Sequence, residues 1–410
     1  MIALTTNKGQ LMGKSGNPAK RVGTISWYSN SPDAPTGYGV QSEQVLKRLV
    51  RDGHSVAVLS NYGQDGTIGS WDSGYGAVRV YPRGAEPYSQ DVTPLNHMHW
   101  VNQNRNASNV LITLYDAWVL KGKRYDDLNI ASWIPIDHLP VPPAVAAWCA
   151  KPNVTPLAMS KFGKAQLADR GIDSLYIPHA FDEAFIPTFK LDGVTGREYL
   201  GIGEDKFVVG MNAANKASGS MHRKAFSENF LAFSLFAKRH PDAVLYVHSD
   251  VFGAYGGWNL TTLCEAVGLS KEQVVFVDPI EYLHGSITQE TLALLYTTMD
   301  VLLATSYGEG FGVATIEAQA CGTPVIGSNF AATAELVSDD GWLVEGQPLY
   351  DAGQSAFFNI PSVPGIVDAL EQAYQRGRGR SQASVDFAQD FAAEKVYQTY
   401  WKPALSKLLK

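Results

Sequence analysis

The residue types best suited to chemistry gather in the segment SYGEGFGVATIEAQACGTPVIGSN, from Ser306 to Asn329. The pattern predicts a strand ending near Ser306, a loop carrying Gly308, Gly310 and Gly312, and a helix from about Val313 to Ala320 that Gly322 stops. Glycine lets backbone amides approach a ligand closely, and a helix start offers unpaired N–H groups with a partial positive charge, so the turn suits a phosphate. Glu309 falls in the loop and Glu317 in the second turn of the helix, which lets both carboxylates face one cleft. A carboxylate accepts paired hydrogen bonds from neighbouring hydroxyls, as on a sugar or a ribose. One glutamate at each end of a diphosphate is therefore a chemically sensible arrangement.

The elements that would position these residues are α/β throughout. RVGTISWYS reads as a strand, NSPDAPTGYG as a glycine-containing turn, VQSEQVLKRLVRDG as an amphipathic helix ending at Gly53, and HSVAVLSN as the next strand. That βαβ order implies a parallel sheet. NVLITLYD and NIASWIPID read as further buried strands, and SKFGKAQLADRGIDSLYIPHAFDEAF as a helix, a short strand and a loop. A second alternation opens at DKFVVGMNAAN and runs through the helix SENFLAFSLFAKRH, the strand AVLYVHSD, the helix LTTLCEAVG and the strand VVFVDPI to DVLLATSY. The end, VDFAQDFAAEKVYQTYWKPALSKLL, reads as helix. At 410 residues the chain exceeds one ordinary core. The expectation is two Rossmann-like doubly wound domains facing a central cleft, residues 1–202 and 203–385, with a C-terminal helix 386–410 packing back on the first.

Glu309-Gly310-Phe311-Gly312, followed by Glu317 and EAQACGTPVI, resembles the Glu-x7-Glu motif of retaining family-4 glycosyltransferases of the GT-B fold. The resemblance extends through the second half in order and more loosely through the first. It implies that HRKAFSENFLAF supplies two donor-diphosphate contacts, Arg223 and Lys224, although the family's usual Gly-Arg pair is replaced by Met211-Asn212-Ala213-Ala214-Asn215. It implies that SWIPIDHLPVP places His138, beside Asp137, against the donor sugar or phosphate. Gly37, Tyr38 and Gly39, after Thr36, would form a first-domain loop closing over the donor, while Gly310, Phe311, Gly312, Val313 and Glu317 bind it from the other side. YIPHAFDEAF becomes an interdomain segment with His179 and Asp182 as hinge residues, and FVDPIEYLHG the place where backbone atoms read the base. The implied activity is transfer of a sugar, most simply a hexose, from a UDP- or GDP-sugar to an unidentified acceptor hydroxyl with the anomeric configuration kept.

Composition bounds these readings. A formal net charge of −7 speaks against a protein bound chiefly to nucleic-acid phosphates. Hydrophobic residues at 45% and charged residues at 18% place the chain in the soluble globular class. The stretch MIALTTNKGQLMGKSGNPAK has no signal-peptide core, and no segment reaches the roughly 20 apolar residues of a membrane span, so a cytoplasmic address is expected. Cys149, Cys264 and Cys321 read as buried small hydrophobes rather than as a disulfide or metal framework. The pairs Asp126-Asp127 and Asp339-Asp340 read as solvated loops, so neither a metal nor a cofactor beyond the nucleotide sugar is expected. Lys47, Arg48 and Arg51 on one helix would offer a weak peripheral contact to an anionic membrane. Two other function classes fit the fold, a nucleotide-sugar epimerase or hydrolase and a non-catalytic nucleotide-sugar binding protein. An NAD-linked dehydrogenase is disfavoured because no Gly-x-Gly-x-x-Gly follows the first strand.

Overall fold

The computed structural model describes residues 23–104, 108–217 and 221–409. The N-terminal stretch read above for a leader lies outside them. The first half holds strands β1 (Thr24–Ser29), β2 (Ser55–Ser60), β3 (Gly69–Asp72), β4 (Ala77–Tyr81), β5 (Asn109–Leu114), β6 (Ile130–Ile134), β7 (Val154–Ala158) and β8 (Leu175–Tyr176). They form one sheet in the order β3-β4-β2-β1-β5-β6-β7-β8, parallel except for the edge pair β3–β4. The second half holds β9 (Phe207–Asn212), β10 (Ala243–His248), β11 (Val274–Phe276), β12 (Val301–Ala304), β13 (Val325–Ser328) and β14 (Trp342–Val344) in a parallel sheet ordered β11-β10-β9-β12-β13-β14. The central strands are buried along their length, as parallel strands covered on both faces must be. The architecture is the expected α/β fold with two parallel, doubly wound sheets.

Three local expectations are corrected. The first helix spans Gly37–Arg51, so Gly37, Tyr38 and Gly39 form its opening turn rather than a loop before it. Thr36 decides this: its hydroxyl accepts from the Gly39 amide at 3.0 Å and caps the helix. The C-terminal segment is not one helix. It runs as Gln382–Ala388, a tight turn Gln389–Phe391, Ala393–Val396, a π-turn Tyr397–Trp401 and Lys402–Leu408. The break at Ala392 is made by tertiary pairing, because the Phe181 amide donates to the Phe391 carbonyl and the Ala393 amide to the Phe181 carbonyl, each at 3.1 Å. Finally, the basic helix face proposed for a membrane is occupied from within. Arg48 is buried and pairs with Glu183 and Glu394, Arg51 meets Glu394 at 2.8 Å, and Lys47 meets Asp182 at 3.1 Å. Among the described residues no helix is long and apolar enough to cross a membrane.

Beyond that break the terminal helices cover the first sheet. Trp401 sits fully buried between Trp27 of β1 and Trp133 of β6, with ring centroids 5.7 and 5.0 Å away. The Trp133 indole donates to the Ile177 carbonyl at 2.7 Å and its ring stacks on His179, which ties the crossing segment to the same cluster. Removing one of three interlocked indoles leaves a cavity the other two cannot fill. Trp401→Ala is therefore expected to cost about 3–5 kcal/mol in urea denaturation; a loss under about 1 kcal/mol would show that the terminal helices are dispensable to the first sheet.

Candidate active site

The loop after β12 meets the first half directly. A Cβ on Gly308 would lie 2.2 Å from the Asp137 carbonyl oxygen, and one on Gly310 would lie 2.2 Å from the Pro135 Cβ. Both glycines are required by this close approach. Gly312 is required for a different reason, its φ of +106°, which turns the chain into the helix Val313–Ala320. No side chain caps that helix, and with the Thr315 amide on the Gly312 carbonyl at 3.0 Å the Val313 and Ala314 amides are the ones left for a ligand. Phe311 does not face the cleft: it is buried against His179 and Phe391 and can offer only backbone. Val313 is half-buried against the core.

Arg223 and Lys224 are delivered by a tight turn. Ala225 adopts left-handed backbone (φ 52°) at the start of the helix Phe226–Ala237, and its amide donates to the His222 carbonyl at 2.8 Å. The Tyr307 amide donates to the Arg223 carbonyl at 2.8 Å, and the Tyr307 hydroxyl donates to Glu228 at 2.8 Å, so turn and loop are bound together. The two cations then converge on Glu309: Arg223 Nη1 lies 2.9 Å from one carboxylate oxygen and Lys224 Nζ 2.5 Å from the other. Arg223 also donates to the Gly308 carbonyl and stands 3.9 Å from Asp137. Burial would favour the neutral form of Glu309, but the charges of Arg223 and Lys224 outweigh it and hold the carboxyl far below its ordinary range. Burial, with Arg223 alongside, draws the Lys224 ammonium down despite Glu309.

Across the cleft, His138 is held at both ring nitrogens, Nδ1 by Asp137 at 2.7 Å and Nε2 by Asp351 at 3.3 Å, with its ring against Phe358 at 3.7 Å. Asp351 and Phe358 belong to an antiparallel hairpin, β15 (Gly346–Asp351) and β16 (Ala356–Pro361), that the reading of the sequence passed over. A second missed residue is Asp116, just past the carboxyl end of β5, whose pKa rises to about 6 through burial and the nearby Asp137 charge. The signals existed: an aspartate directly after a buried strand, and the alternation in QPLYDAGQSAFFNIP around a Gly353 turn. Asp116, Asp137, His138, Arg223, Lys224 and Asp351 all line a cavity of about 470 Å³ between the halves.

Of the remaining expected residues, Tyr38 is half-buried with its ring 5.5 Å from Tyr115; burial first, then Asp116 and Asp137, raises its hydroxyl pKa well above the ordinary value. Gly37 is exposed at the helix start, whereas Gly39 packs against the Ala34 and Ser31 carbonyls and offers a ligand nothing. Glu317 has a separate set of partners from Glu309. It accepts from the Tyr296 hydroxyl at 2.9 Å, which in turn accepts from Asn212 at 2.6 Å, and burial pushes its carboxyl up to about 7. The acidic pairs are engaged as well, Asp126 with Lys151 and Asp340 with Arg376. Among the described residues no group of three or more His, Cys, Asp or Glu is placed to hold a metal ion.

The sequence and the fold have counterparts. Residues 218–354 match the family described as Glycosyl transferases group 1. Sucrose-phosphate synthase from Thermosynechococcus elongatus superposes over 94% of this chain and 98% of its own with a TM-score of 0.72 at 16% identity. The chain has the GT-B fold, and the group 1 match lies within its second half. A D-inositol 3-phosphate glycosyltransferase of Arthrobacter sp. (strain FB24) is 29% identical over 155 residues, 36% of this chain and 34% of that protein. The matched region thus spans about a third of that curated relative. The E. coli trehalose-6-phosphate structure, determined with UDP-2-fluoro glucose bound, shares the fold at a TM-score of 0.63 and 11% identity, covering 94% of this chain and 98% of that one. The family match takes in Arg223, Lys224, Glu309 and Glu317.

The Glu309 triad carries a pH signature. Glu309→Gln leaves two adjacent cations without a counter-charge, and because Arg223 stays partly open to water the cost is about 1–3 kcal/mol at pH 7. Glu309's pKa is depressed in the folded chain, so its stabilisation is complete above the ordinary value of 4.5 and is lost as pH falls below it. Melting curves of wild type and variant should therefore differ at pH 7 and draw together progressively as pH falls below 4.5; a gap that stayed constant down to pH 3 would contradict the pairing.

Proposed function

We propose that this chain transfers a sugar, most simply a hexose, from a nucleotide diphosphate sugar such as a UDP- or GDP-sugar to an acceptor hydroxyl, with retention of the anomeric configuration. Residues 203–385 would hold the donor and residues 1–202 the acceptor. The observation that carries the reading is the convergence of Arg223 and Lys224 on Glu309 at the mouth of an uncapped helix start. A diphosphate entering there would find two fixed cations and a row of backbone amides, and would take over the cations that Glu309 now neutralises. Glu309, released, would accept hydrogen bonds from the donor sugar's hydroxyls. Arg223 and Lys224 would then stabilise the charge that grows on the departing diphosphate.

In the step itself the anomeric C–O bond to the diphosphate breaks, its electron pair goes to the leaving phosphate oxygen, and the acceptor oxygen bonds to the anomeric carbon from the same face. The acceptor's proton passes to that phosphate oxygen. His138, oriented by Asp137 and Asp351, would contact the donor sugar or phosphate rather than serve as a required base. Glu309, the carboxylate nearest the two cations, is committed to both of them, which supports a metal-independent route. Three free, buried cysteines suit the reducing cytoplasm.

Proton NMR of the product linkage tests the proposal: an α-linked donor should yield an α-linked product, and a β-linked one would refute the mechanism. A further expectation concerns Glu317. If its carboxylate accepts a pair of ribose hydroxyls, binding requires the ionised form of a group that titrates at about 7 in the free chain. Donor affinity measured by calorimetry should then fall as pH drops below 7, approaching about tenfold per pH unit. Glu317→Gln should flatten that dependence; an affinity unchanged between pH 6 and 8 in the wild type would remove Glu317 from the donor site.

A further inference from the structure

The hairpin β15–β16 leaves the second half and reaches the first. Leu139 and Phe357 exchange both backbone hydrogen bonds at 2.9 Å, so the hairpin is stitched to the loop that carries His138. This lays Asp351, Gln354 and Phe358 along the cavity wall. The charges on that wall are segregated. The cations Lys216, Arg223 and Lys224 all come from the segment between β9 and the helix Phe226–Ala237. Among the described residues the first half and the hairpin contribute no lysine or arginine but three carboxylates, Asp116, Asp137 and Asp351, with His138 held between the last two and Trp118 and Gln354 beside them.

Once a diphosphate occupies Arg223 and Lys224, an acceptor must lie on the remaining wall. A phosphate there would face three carboxylates in a partly desolvated space, a repulsive arrangement. Hydroxyls suit it better. Carboxylate oxygens and the Gln354 amide accept from them, and the Trp118 ring offers a sugar's C–H face an apolar surface. A full positive charge is less well matched, because Asp137 and Asp351 already share His138.

On the reading given under Proposed function, we infer that the hairpin 346–361 is the acceptor-selecting element of this cleft, and that Asp351 and Gln354 select an uncharged polyhydroxy acceptor over its phosphate ester. The same atoms move as in the transfer above; the hairpin acts on which hydroxyl is presented.

The test uses the full chain with UDP-glucose and GDP-mannose as donors and with paired acceptors, glucose against glucose 6-phosphate and myo-inositol against myo-inositol phosphate. Donor binding is read separately by thermal shift and donor hydrolysis. With the donor that binds, the neutral member of a pair should have at least a tenfold higher kcat/KM. Gln354→Lys and Asp351→Lys should each reduce that ratio several-fold, whereas Asp351→Asn, which retains a side-chain oxygen for the turn at Gly353, should reduce it less. A wild-type preference for the phosphate ester, lost in Lys216→Ala, would overturn the inference by showing that Lys216 receives an acceptor phosphate. So would a ratio unmoved by either lysine variant, or no transfer to any neutral acceptor. Failure of both donors to bind or turn over would instead fell the underlying reading, and this inference with it.

Discussion

The cleft takes its form from two places where side chains are missing. At Gly308 and Gly310 the loop after β12 lies against Asp137 and Pro135 of the opposite half, at separations that leave no room for a Cβ. The contact is backbone on backbone and cannot be adjusted by rotamers, so it fixes how near the Arg223–Lys224–Glu309 triad stands to His138. Neither glycine has positive φ, unlike Gly312, so the requirement is space alone. Any larger residue would move one half against the other, and with it every distance across the site.

That spacing gives the electrostatics their meaning. Three carboxylates from one side and three cations from the other line the same cavity, and the pairing that bridges loop and turn, Glu309 with Arg223 and Lys224, lies within the second half. A carboxylate of the protein stands where a ligand's anion would otherwise be needed to neutralise the cations. The cations are thereby held in position before any ligand arrives, at the cost that a ligand must exchange with Glu309 rather than add to bare charge. Asp116 shows the converse on the other wall, where burial and then the Asp137 charge raise its carboxyl to about 6 despite Arg223.

Much of this was legible because it is local. Strand and helix alternation is written in hydrophobic period, and the loop from Gly308 to Gly312 stands out by composition, whereas the Arg223-Lys224 pair is singled out only by the family resemblance of HRKAFSENFLAF. What was hidden depends on partners far away in the chain. Thr36 reads equally as a turn residue or a cap until the Gly39 amide is seen on its hydroxyl. Ala392 has no helix-breaking chemistry of its own and leaves the helix because Phe181 pairs beside it. Arg48 looks like any exposed basic residue on an amphipathic helix; only Glu183 and Glu394, 135 and 346 positions away, explain its burial. Glu317 shares a motif with Glu309 but takes Tyr296 as its partner.

The two halves are joined unequally at the two ends of the cleft, and this bears on how a closed site can admit a ligand. At one end the chain crosses at Phe181 and Ala392, among the Arg48–Glu394 pairs and beside the Trp27–Trp133–Trp401 cluster, a junction of buried aromatic surface and paired charge. At the other end the hairpin holds the His138 loop through one pair of backbone hydrogen bonds at Leu139 and Phe357, both exposed side chains, through Asp351 on His138, and through the buried Phe358 ring against the same imidazole. Regions with few buried apolar contacts and solvent-exposed hydrogen bonds open at the lowest free energy. On that rule the hairpin end, whose junction buries the smaller aromatic surface, is the one expected to open. The element inferred above to choose the acceptor would then also gate the cavity, coupling admission of an acceptor to the orientation of His138 through Asp351 and Phe358.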